Sequence, residues 1–158
     1  MGASKRGTGH ARDGHRTVAS RDRDRLSATF VWPVRVYFED TDAGGVVYHA
    51  NYLRFMERAR TEWLRALGFE QDELRTRFGV QFVVIAAHIE YRRAARFNAQ
   101  LVVSVTVTDT GRASLTFAQQ IREADVLICE AEIRAACVDT ENFKPRPLPQ
   151  EIVAELIR

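Results

Sequence analysis

Residues 37–67, YFEDTDAGGVVYHANYLRFMERARTEWLRAL, decide how this chain folds. The first part, up to Gly45, is acidic and contains adjacent glycines, a composition typical of a turn or loop. The part that follows His49 has apolar residues at helical spacing, which predicts an amphipathic helix. The short run between them brings a carboxylate, an imidazole and the unsatisfied N–H groups of a helix start close together. We interpret the rest of the chain as a sheet that holds this unit.

The predicted helix has clear start and stop signals. Either His49 or Asn51 lies in the N-cap region, and Gly68 is a residue type that commonly follows the last turn. Arginines and glutamates fall mainly on one side of the helix. The other side is apolar and is predicted to pack in the core, so its methionine and aromatic residues are not read as a cofactor site: Tyr52, Phe55, Met56, Ala59, Trp63 and Leu67.

The segments on either side of this helix have the period of β-strands. Apolar Val34, Val36 and Phe38 alternate with polar residues, and Pro33 restricts that strand to an edge or an end. A short helix is predicted over residues 71–78, and a last one over 150–157, after a proline-rich extended stretch. Between them, four strands are predicted over residues 80–93, 101–108, 115–121 and 127–137.

Short connections join these four strands, and residues 110–111 and 123–125 suit hairpin loops. The strands should therefore be mostly antiparallel. One long helix against a five-stranded antiparallel sheet is an α+β fold. Such a sheet has two edges, which proteins seldom leave unpaired, so we expect two chains to join their sheets edge to edge.

Length and charge indicate one domain with a tail. The chain has 158 residues and a net charge of +2. Residues 1–28 contain seven Lys or Arg and three Asp, a net of +4, so the remainder has a net charge of −2. We predict a disordered basic tail over residues 1–28 and one folded domain over 29–158. Because the folded part is not basic, no nucleic-acid partner is predicted.

The lack of a recognisable targeting signal and the pattern of cysteines favour a cytoplasmic protein. No apolar run approaches the roughly 20 residues of a membrane helix, and the basic N-terminus is not followed by the apolar segment of a secretory signal. Cys129 and Cys137 fall on one predicted strand, where about 3.3 Å per residue separates them by roughly 26 Å, beyond disulfide reach. Both are predicted to be reduced structural thiols.

Asp42 is the strongest candidate for a catalytic residue. Turn formation alone explains Asp40, Asp42 and the two glycines in most sequences of this kind. Here, however, the glycines allow a ligand to approach the backbone, and the helix start that follows offers N–H groups for a developing oxyanion. His49 lies a few residues further on. A carboxylate beside an oxyanion site is the minimum needed to hydrolyse an activated acyl group.

Other kinds of site are disfavoured. The carboxylates and histidines show no metal-ligand spacing, so no metal is predicted. The chain contains no nucleophile elbow, phosphate-binding loop or dinucleotide fingerprint. His88 alternates within a strand and is predicted to be structural.

The run VRVYFEDTDAGGVVYHANYLRFMERARTEWLR resembles the YbgC-type acyl-CoA thioesterases, in the 4-hydroxybenzoyl-CoA thioesterase branch of the hot-dog fold. The similarity continues through IEYRRAARFNAQLVV to KPRPLPQEIVAEL and covers the chain from about Phe30 onward. Its specific motif is D-x-x-G-x-V-Y-H-x-x-Y, formed here by Asp42, Gly45, Val47, Tyr48, His49 and Tyr52.

This resemblance implies a hot-dog fold in which a long central helix is wrapped by the sheet. It implies homodimers that pair into homotetramers, with active sites at the dimer interface. Asp42 is then catalytic, as nucleophile or general base, and His49 helps to position substrate or water. The thioester carbonyl faces N–H groups near His49 and Asn51. The substrate is a coenzyme A thioester with a short, medium or aromatic acyl group, and no cofactor is needed.

The remaining expected contacts of the substrate are with backbone, aromatic and basic residues. Gly45, Tyr48, Asn51 and Tyr52 are expected to line the site. Arg92, Arg93 and Arg112 are candidates for the phosphates of coenzyme A, although arginines on strands are usually solvated surface residues; Arg96, Lys144 and Arg146 are similar candidates. The sequence departs from the usual family pattern at Ala94, where relatives have proline, and at Asn98, where they have an acid.

Two other functions remain open from the sequence. One is a hot-dog hydratase or dehydratase, against which the DTDAGG turn argues. The other is a non-catalytic module that binds acyl groups or acyl carrier protein. The resemblance connects such a module with envelope maintenance and with phospholipid-synthesis enzymes as partners.

Overall fold

The structure, a computed structural model, describes residues 28–157. The tail predicted over residues 1–28 therefore lies, apart from Ala28, outside the described residues. Strand β1 (Phe30–Arg35) leads through a 3-10 turn (Phe38–Asp40) into helix α1 (His49–Ala66). The remaining elements are helix α2 (Gln71–Glu73), which widens into a π turn (Leu74–Phe78), strands β2 (Val80–Tyr91), β3 (Gln100–Thr110), β4 (Ser114–Glu123) and β5 (Val126–Asp139), and helix α3 (Gln150–Leu156).

The five strands form one sheet in the order β1-β3-β4-β5-β2, and every neighbouring pair is antiparallel. The predicted α+β architecture with a five-stranded antiparallel sheet is confirmed. The β3–β4 and β4–β5 hairpins also lie where turn residues predict them. Strand β2 does not pair with β3, which follows it in the chain, but crosses to β5 and becomes an edge of the sheet.

Helix α1 packs its apolar face on this sheet as its periodicity predicts. Phe55, Met56 and Ala59 are fully buried, and they belong to the same core as Val103 and Ile121 of the sheet. Burial of each large apolar side chain stabilises the fold by about 1.5–3 kcal/mol. This packing fixes the helix, and therefore its N-terminus, relative to the ends of the strands.

Two details near the start of α1 differ from the sequence prediction. Phe38 was expected on the buried face of the first strand, but β1 ends at Arg35 and the Phe38 ring is 81% exposed. The reason is the 3-10 turn, in which the Asp40 carboxylate accepts a hydrogen bond from the Tyr37 N–H and turns the chain out of the strand. The N-cap is Tyr48, without a side-chain capping bond, rather than His49 or Asn51.

The edge strand β2 has a bulge between Val84 and Ala86. Before the bulge Phe82 and Val84 lie opposite buried residues of β5, and after it the odd-numbered residues do so. The face of β2 that looks toward α1 therefore switches from even to odd numbers at the strand centre. Val84 and Ile85, at this centre, are 53% and 54% exposed, so an apolar strip lies along the free edge.

Cys129 and Cys137 both lie on β5 as buried free thiols, in agreement with the prediction. Burial raises the pKa of Cys129 to about 12 and that of Cys137 to about 11. Within residues 28–157, no helix combines the length and the apolar character that a membrane crossing requires.

Candidate active site

Asp40 fixes the loop to the start of α1. It is 6% exposed, and its carbonyl oxygen accepts hydrogen bonds from the Tyr48 N–H (2.9 Å) and from the Asn51 side-chain amide (2.9 Å). The Asp40 carboxylate closes the preceding turn through the Tyr37 N–H, at 2.8 Å. Asp40 is thus a structural anchor between loop and helix. Asn51, expected to contact substrate, is buried and directs its amide to this anchor.

Asp42 lies in a tight turn with its carboxylate exposed. Its N–H donates to the Val46 carbonyl (2.9 Å), and its carbonyl accepts from the Gly45 N–H (2.9 Å). One carboxylate oxygen, Oδ1, accepts a hydrogen bond from the Gly44 N–H at 2.8 Å. Among the described residues no hydrogen bond reaches Oδ2. The turn therefore orients the carboxylate and leaves one oxygen for chemistry.

The geometry of this turn explains why glycine occupies both positions. Gly45 has φ +73°, in the left-handed region that side chains disfavour. A Cβ on Gly44 would lie 3.0 Å from Asp42 Oδ1, which is closer than ordinary contact. The two glycines of DTDAGG thus allow the turn to hold Asp42 in this orientation.

The N-terminus of α1 supplies hydrogen-bond donors beside this turn. The Asn51 N–H bonds back to the Tyr48 carbonyl at 2.8 Å. In the part of the chain that is described, no acceptor is present for the N–H groups of His49 and Ala50. These groups also carry the positive end of the helix dipole, so they suit a developing oxyanion.

An aromatic cluster encloses the helix start. The rings of Tyr48 and His49 lie 4.5 Å apart, and Tyr91 at the end of β2 approaches the His49 ring edge-on at 6.2 Å. The Tyr91 hydroxyl donates to the His49 carbonyl at 3.1 Å. Tyr91 was not predicted as a site residue. Its position in the β2 alternation was visible in the sequence, but its contact with the helix start depends on the tertiary fold.

Tyr52 forms the buried floor of this cluster. Its ring packs against Tyr91 at 5.8 Å, and its hydroxyl accepts a hydrogen bond from the Ala95 N–H at 3.1 Å. Burial raises the pKa of Tyr52, and the negative charge of Asp42 contributes in the same direction. The structure therefore brings together four of the predicted positions, Asp42, Tyr48, His49 and Tyr52, around one helix turn.

The three predicted phosphate-binding arginines do not lie together. Arg92 follows β2, where Glu130 (2.7 Å) and Glu90 pair with it; its hydrogen bond to Glu130 is the main reason that its pKa is raised. Arg93 lies beside it, exposed and without an ion pair among the described residues. Arg112 lies in the β3–β4 turn, at the opposite end of the sheet, where its carbonyl accepts from the Leu148 N–H.

A model of the thioesterase-like superfamily matches residues 36–156. The acyl-CoA thioester hydrolase YbgC of Escherichia coli is 50% identical over 127 residues, which are 80% of this chain and 94% of the relative. The acyl-CoA thioesterase YbgC of Haemophilus influenzae is 45% identical over 129 residues, 82% of this chain and 95% of the relative. A crystal structure of a probable thioesterase from Bartonella henselae superposes with a TM-score of 0.74 at 35% identity, covering 77% of this chain and all (100%) of that one.

Proposed function

Because this chain belongs to the thioesterase-like superfamily, we propose that it hydrolyses acyl-CoA thioesters to a free acid and coenzyme A. One observation carries the proposal: the Asp42 carboxylate, oriented by the Gly44 N–H, lies in the turn that leads to the free N–H groups at the start of α1. The predicted membership of a YbgC-type thioesterase family with the hot-dog fold is confirmed. The relatives named as acyl-CoA hydrolases support coenzyme A as the carrier.

The reaction needs a nucleophile and a place for negative charge. In our proposal Asp42 either attacks the thioester carbonyl carbon or removes a proton from the water that attacks it. The carbonyl oxygen becomes an oxyanion and accepts hydrogen bonds from the N–H groups of His49 and Ala50. The C–S bond then breaks and the thiolate leaves without a strong general acid, since thiolates are good leaving groups. This chemistry requires no cofactor.

Attack by the Asp42 carboxylate can be detected with labelled water. In a single turnover in H₂¹⁸O, attack by the carboxylate forms an enzyme-bound anhydride, whose hydrolysis at the aspartyl carbon leaves ¹⁸O in Asp42. General-base catalysis, like hydrolysis of an anhydride at its acyl carbon, leaves Asp42 unlabelled and places ¹⁸O in the acid product. Detection of ¹⁸O by mass spectrometry in the peptide that contains Asp42 therefore establishes attack by the carboxylate.

The surrounding residues receive supporting roles. We assign the positioning of substrate or water to His49, whose ring nitrogens have no hydrogen-bond partner within the described residues. Tyr48 and Gly45 border the approach to the carboxylate. Among the basic candidates, Arg93 is better suited than Arg92 to a coenzyme A phosphate, because two glutamates already pair with Arg92.

We further propose a homodimer formed along the β2 edges. The strip around Val84 and Ile85 is apolar and half exposed, as expected of an edge that another strand covers. In a two-fold antiparallel pairing about the strand centre, Phe82 lies opposite Ile89 of the second copy. The bulge places both of these side chains on the α1 face, so this register keeps the faces consistent.

We predict that Ile85→Glu converts the dimer into monomers, measured by light scattering; an unchanged mass would refute this interface.

The experiment for the main proposal is thiol release from short, medium, long and aromatic acyl-CoAs. Turnover of at least one member supports the thioesterase and identifies the acyl class, which we expect to be short, medium or aromatic. If a folded dimer releases no thiol, the proposal fails. Hydration of an enoyl-CoA would then indicate a hydratase, and binding of acyl carrier protein without turnover would indicate a binding module.

The buried free thiols support our assignment of the protein to the cytoplasm.

A further inference from the structure

A pair of polar side chains, one buried and one partly buried, lies under the middle of α1, away from the groups used above. Arg60 is partly buried, and its guanidinium donates to the Gln119 side-chain oxygen at 2.7 Å. Gln119 is 1% exposed, and its amide donates to the carbonyls of Met56 (3.2 Å) and Ser104 (3.4 Å). Burial lowers the pKa of Arg60 and the negative charge of Glu57 opposes this effect, but among residues 28–157 no carboxylate lies within ion-pair distance of Arg60. A partly buried cation whose hydrogen-bond partner is a neutral amide is costly for stability, so it calls for a functional explanation.

Arg60 lines a cavity between α1 and the sheet. The cavity has a volume of about 140 Å³, close to that of engineered cavities of about 150 Å³ that hold benzene. Its walls are largely apolar and include Trp63, Phe82 and Phe117. Glu57 also lines it, but it is exposed, and its carboxylate accepts a hydrogen bond from Thr61 at 2.8 Å. The cavity thus combines apolar walls with a guanidinium that has unused donors.

This cavity is too far along α1 to serve the active site of its own subunit. Arg60 follows His49 by eleven residues (60 − 49), which at about 1.5 Å per residue is roughly 16 Å along the helix. In the proposed dimer the distance to the other site is short. The lining residues Phe82 and Val84 lie opposite Ile89 and Ala87 of the second copy, one strand spacing of about 4.8 Å away. The same strand of the second copy continues to its Tyr91, which contacts the start of its helix.

We propose that this cavity receives the distal end of the acyl group bound at the second copy's Asp42, and that Arg60, held by Gln119, selects acyl groups ending in a carboxylate. This inference rests on the proposed thioesterase activity and on the β2 dimer. The apolar walls contact the methylene chain, and the guanidinium supplies the charge-assisted hydrogen bonds that a terminal carboxylate accepts. On the α1 face of β2, the second copy presents only alanine, isoleucine and tyrosine near this point, so its edge strand brings no competing carboxylate.

The test compares two six-carbon substrates that differ at the distal end, adipyl-CoA with a carboxylate and hexanoyl-CoA with a methyl group. The wild type is expected to have the higher kcat/KM for adipyl-CoA. Arg60→Met should lower the adipyl-to-hexanoyl ratio by about tenfold or more, since it removes a charge-assisted hydrogen bond. Arg54→Met, an exposed arginine of the same helix, is the matched control and should leave the ratio unchanged.

A second variant guards against misfolding of the first. Gln119→Glu keeps the shape of the side chain but gives Arg60 a carboxylate partner, so it should also abolish the preference for adipyl-CoA. A wild type that prefers hexanoyl-CoA, or a ratio that neither variant changes, overturns the inference while the thioesterase proposal stands. If the folded dimer hydrolyses neither substrate nor any other acyl-CoA, the thioesterase proposal itself fails.

Mixed dimers test whether the cavity serves the other subunit. Asp42→Asn and Arg60→Met subunits are co-expressed with different tags, and the mixed dimer is purified. In our account its one intact Asp42 uses the cavity of the Asp42→Asn subunit, where Arg60 is intact, so hydrolysis of adipyl-CoA returns to about half the wild-type rate. If the cavity serves its own subunit, the mixed dimer retains the low adipyl-to-hexanoyl ratio of Arg60→Met, and the inference is wrong.

Discussion

The substitution Gly44→Ala tests how the turn orients the Asp42 carboxylate, the proposed catalytic group. The added Cβ would lie 3.0 Å from Asp42 Oδ1, beside a hydrogen bond of 2.8 Å from the Gly44 N–H to the same oxygen. The next nearest contact of that Cβ, with a methyl group of Val46, is an ordinary 4.0 Å. The strain therefore falls on the Asp42 carboxylate, which is exposed and free to rotate away.

The expected loss follows from that hydrogen bond. A hydrogen bond to a charged group contributes about 1.5–3 kcal/mol, and 1.4 kcal/mol corresponds to about a tenfold change. If the carboxylate rotates and loses the bond, kcat/KM should fall by about tenfold to a hundredfold. Folding should change little, because Asp42 is exposed and Gly44 does not have a positive φ.

The assay is steady-state thiol release together with thermal unfolding. Gly68→Ala is the matched control, since Gly68 ends α1 far from the site with φ +91° and open space around it. That substitution should lower the unfolding free energy by about 1 kcal/mol and leave kcat/KM of the folded enzyme unchanged. A Gly44→Ala enzyme with kcat/KM close to wild type would refute the claim that this turn orients Asp42.

Three further predictions concern the anchors and the core. Tyr91→Phe removes the hydroxyl that bonds the His49 carbonyl, so kcat should fall by about threefold to tenfold with thermal stability nearly unchanged; a kcat equal to wild type would show that this bond does not position the helix start. Asp40→Ala leaves the partly buried Tyr37 N–H without its carboxylate acceptor and should lower the free energy of unfolding by about 1–3 kcal/mol in a urea titration, and a smaller loss would show that the carboxylate adds little to closing the 3-10 turn. Burial raises the pKa of the Cys129 and Cys137 thiols to about 12 and 11, above the ordinary value of 9.0. Because the folded state holds these protons more tightly than the unfolded state, the free energy of unfolding is highest below pH 9 and declines as pH rises through the folded-state values. Both thiols should therefore resist a thiol reagent at pH 8 until the protein is unfolded, and rapid reaction of the native protein would contradict their burial.

Periodicity was sufficient to predict much of the fold. The 3.6-residue repeat on α1 and the two-residue repeat on β3 to β5 are local consequences of which side chains face the core, so they could be read directly. Periodicity does not specify which strands pair. Strand β2 pairs with β5, a strand distant in the chain, and such long-range pairing leaves no local pattern in the sequence. This placement makes β2 an edge strand, on which Val84 and Ile85 form the apolar edge.

The candidate site was predictable where its residues are close in the chain. Asp42, Gly45 and His49 belong to one turn and the helix that follows it, so their proximity follows from the sequence. Tyr91 and Asp40 were missed as site residues because their roles rest on backbone carbonyls, at His49 and at Asp40 itself, which have no sequence signature. Phe38 was placed wrongly for a similar reason, since one bond from the Tyr37 N–H ends the strand early.

The most direct test of the account is the rate of thiol release by Asp42→Asn, measured beside the wild type on its best acyl-CoA. Asparagine has the same shape and can still accept the Gly44 hydrogen bond, so the variant should fold and bind substrate with little change. We predict that kcat falls by at least about a hundredfold, because loss of even one oxyanion-hole donor costs about 10²–10³ in rate. A variant that retains the wild-type kcat would show that Asp42 is not the catalytic group and would contradict the central claim.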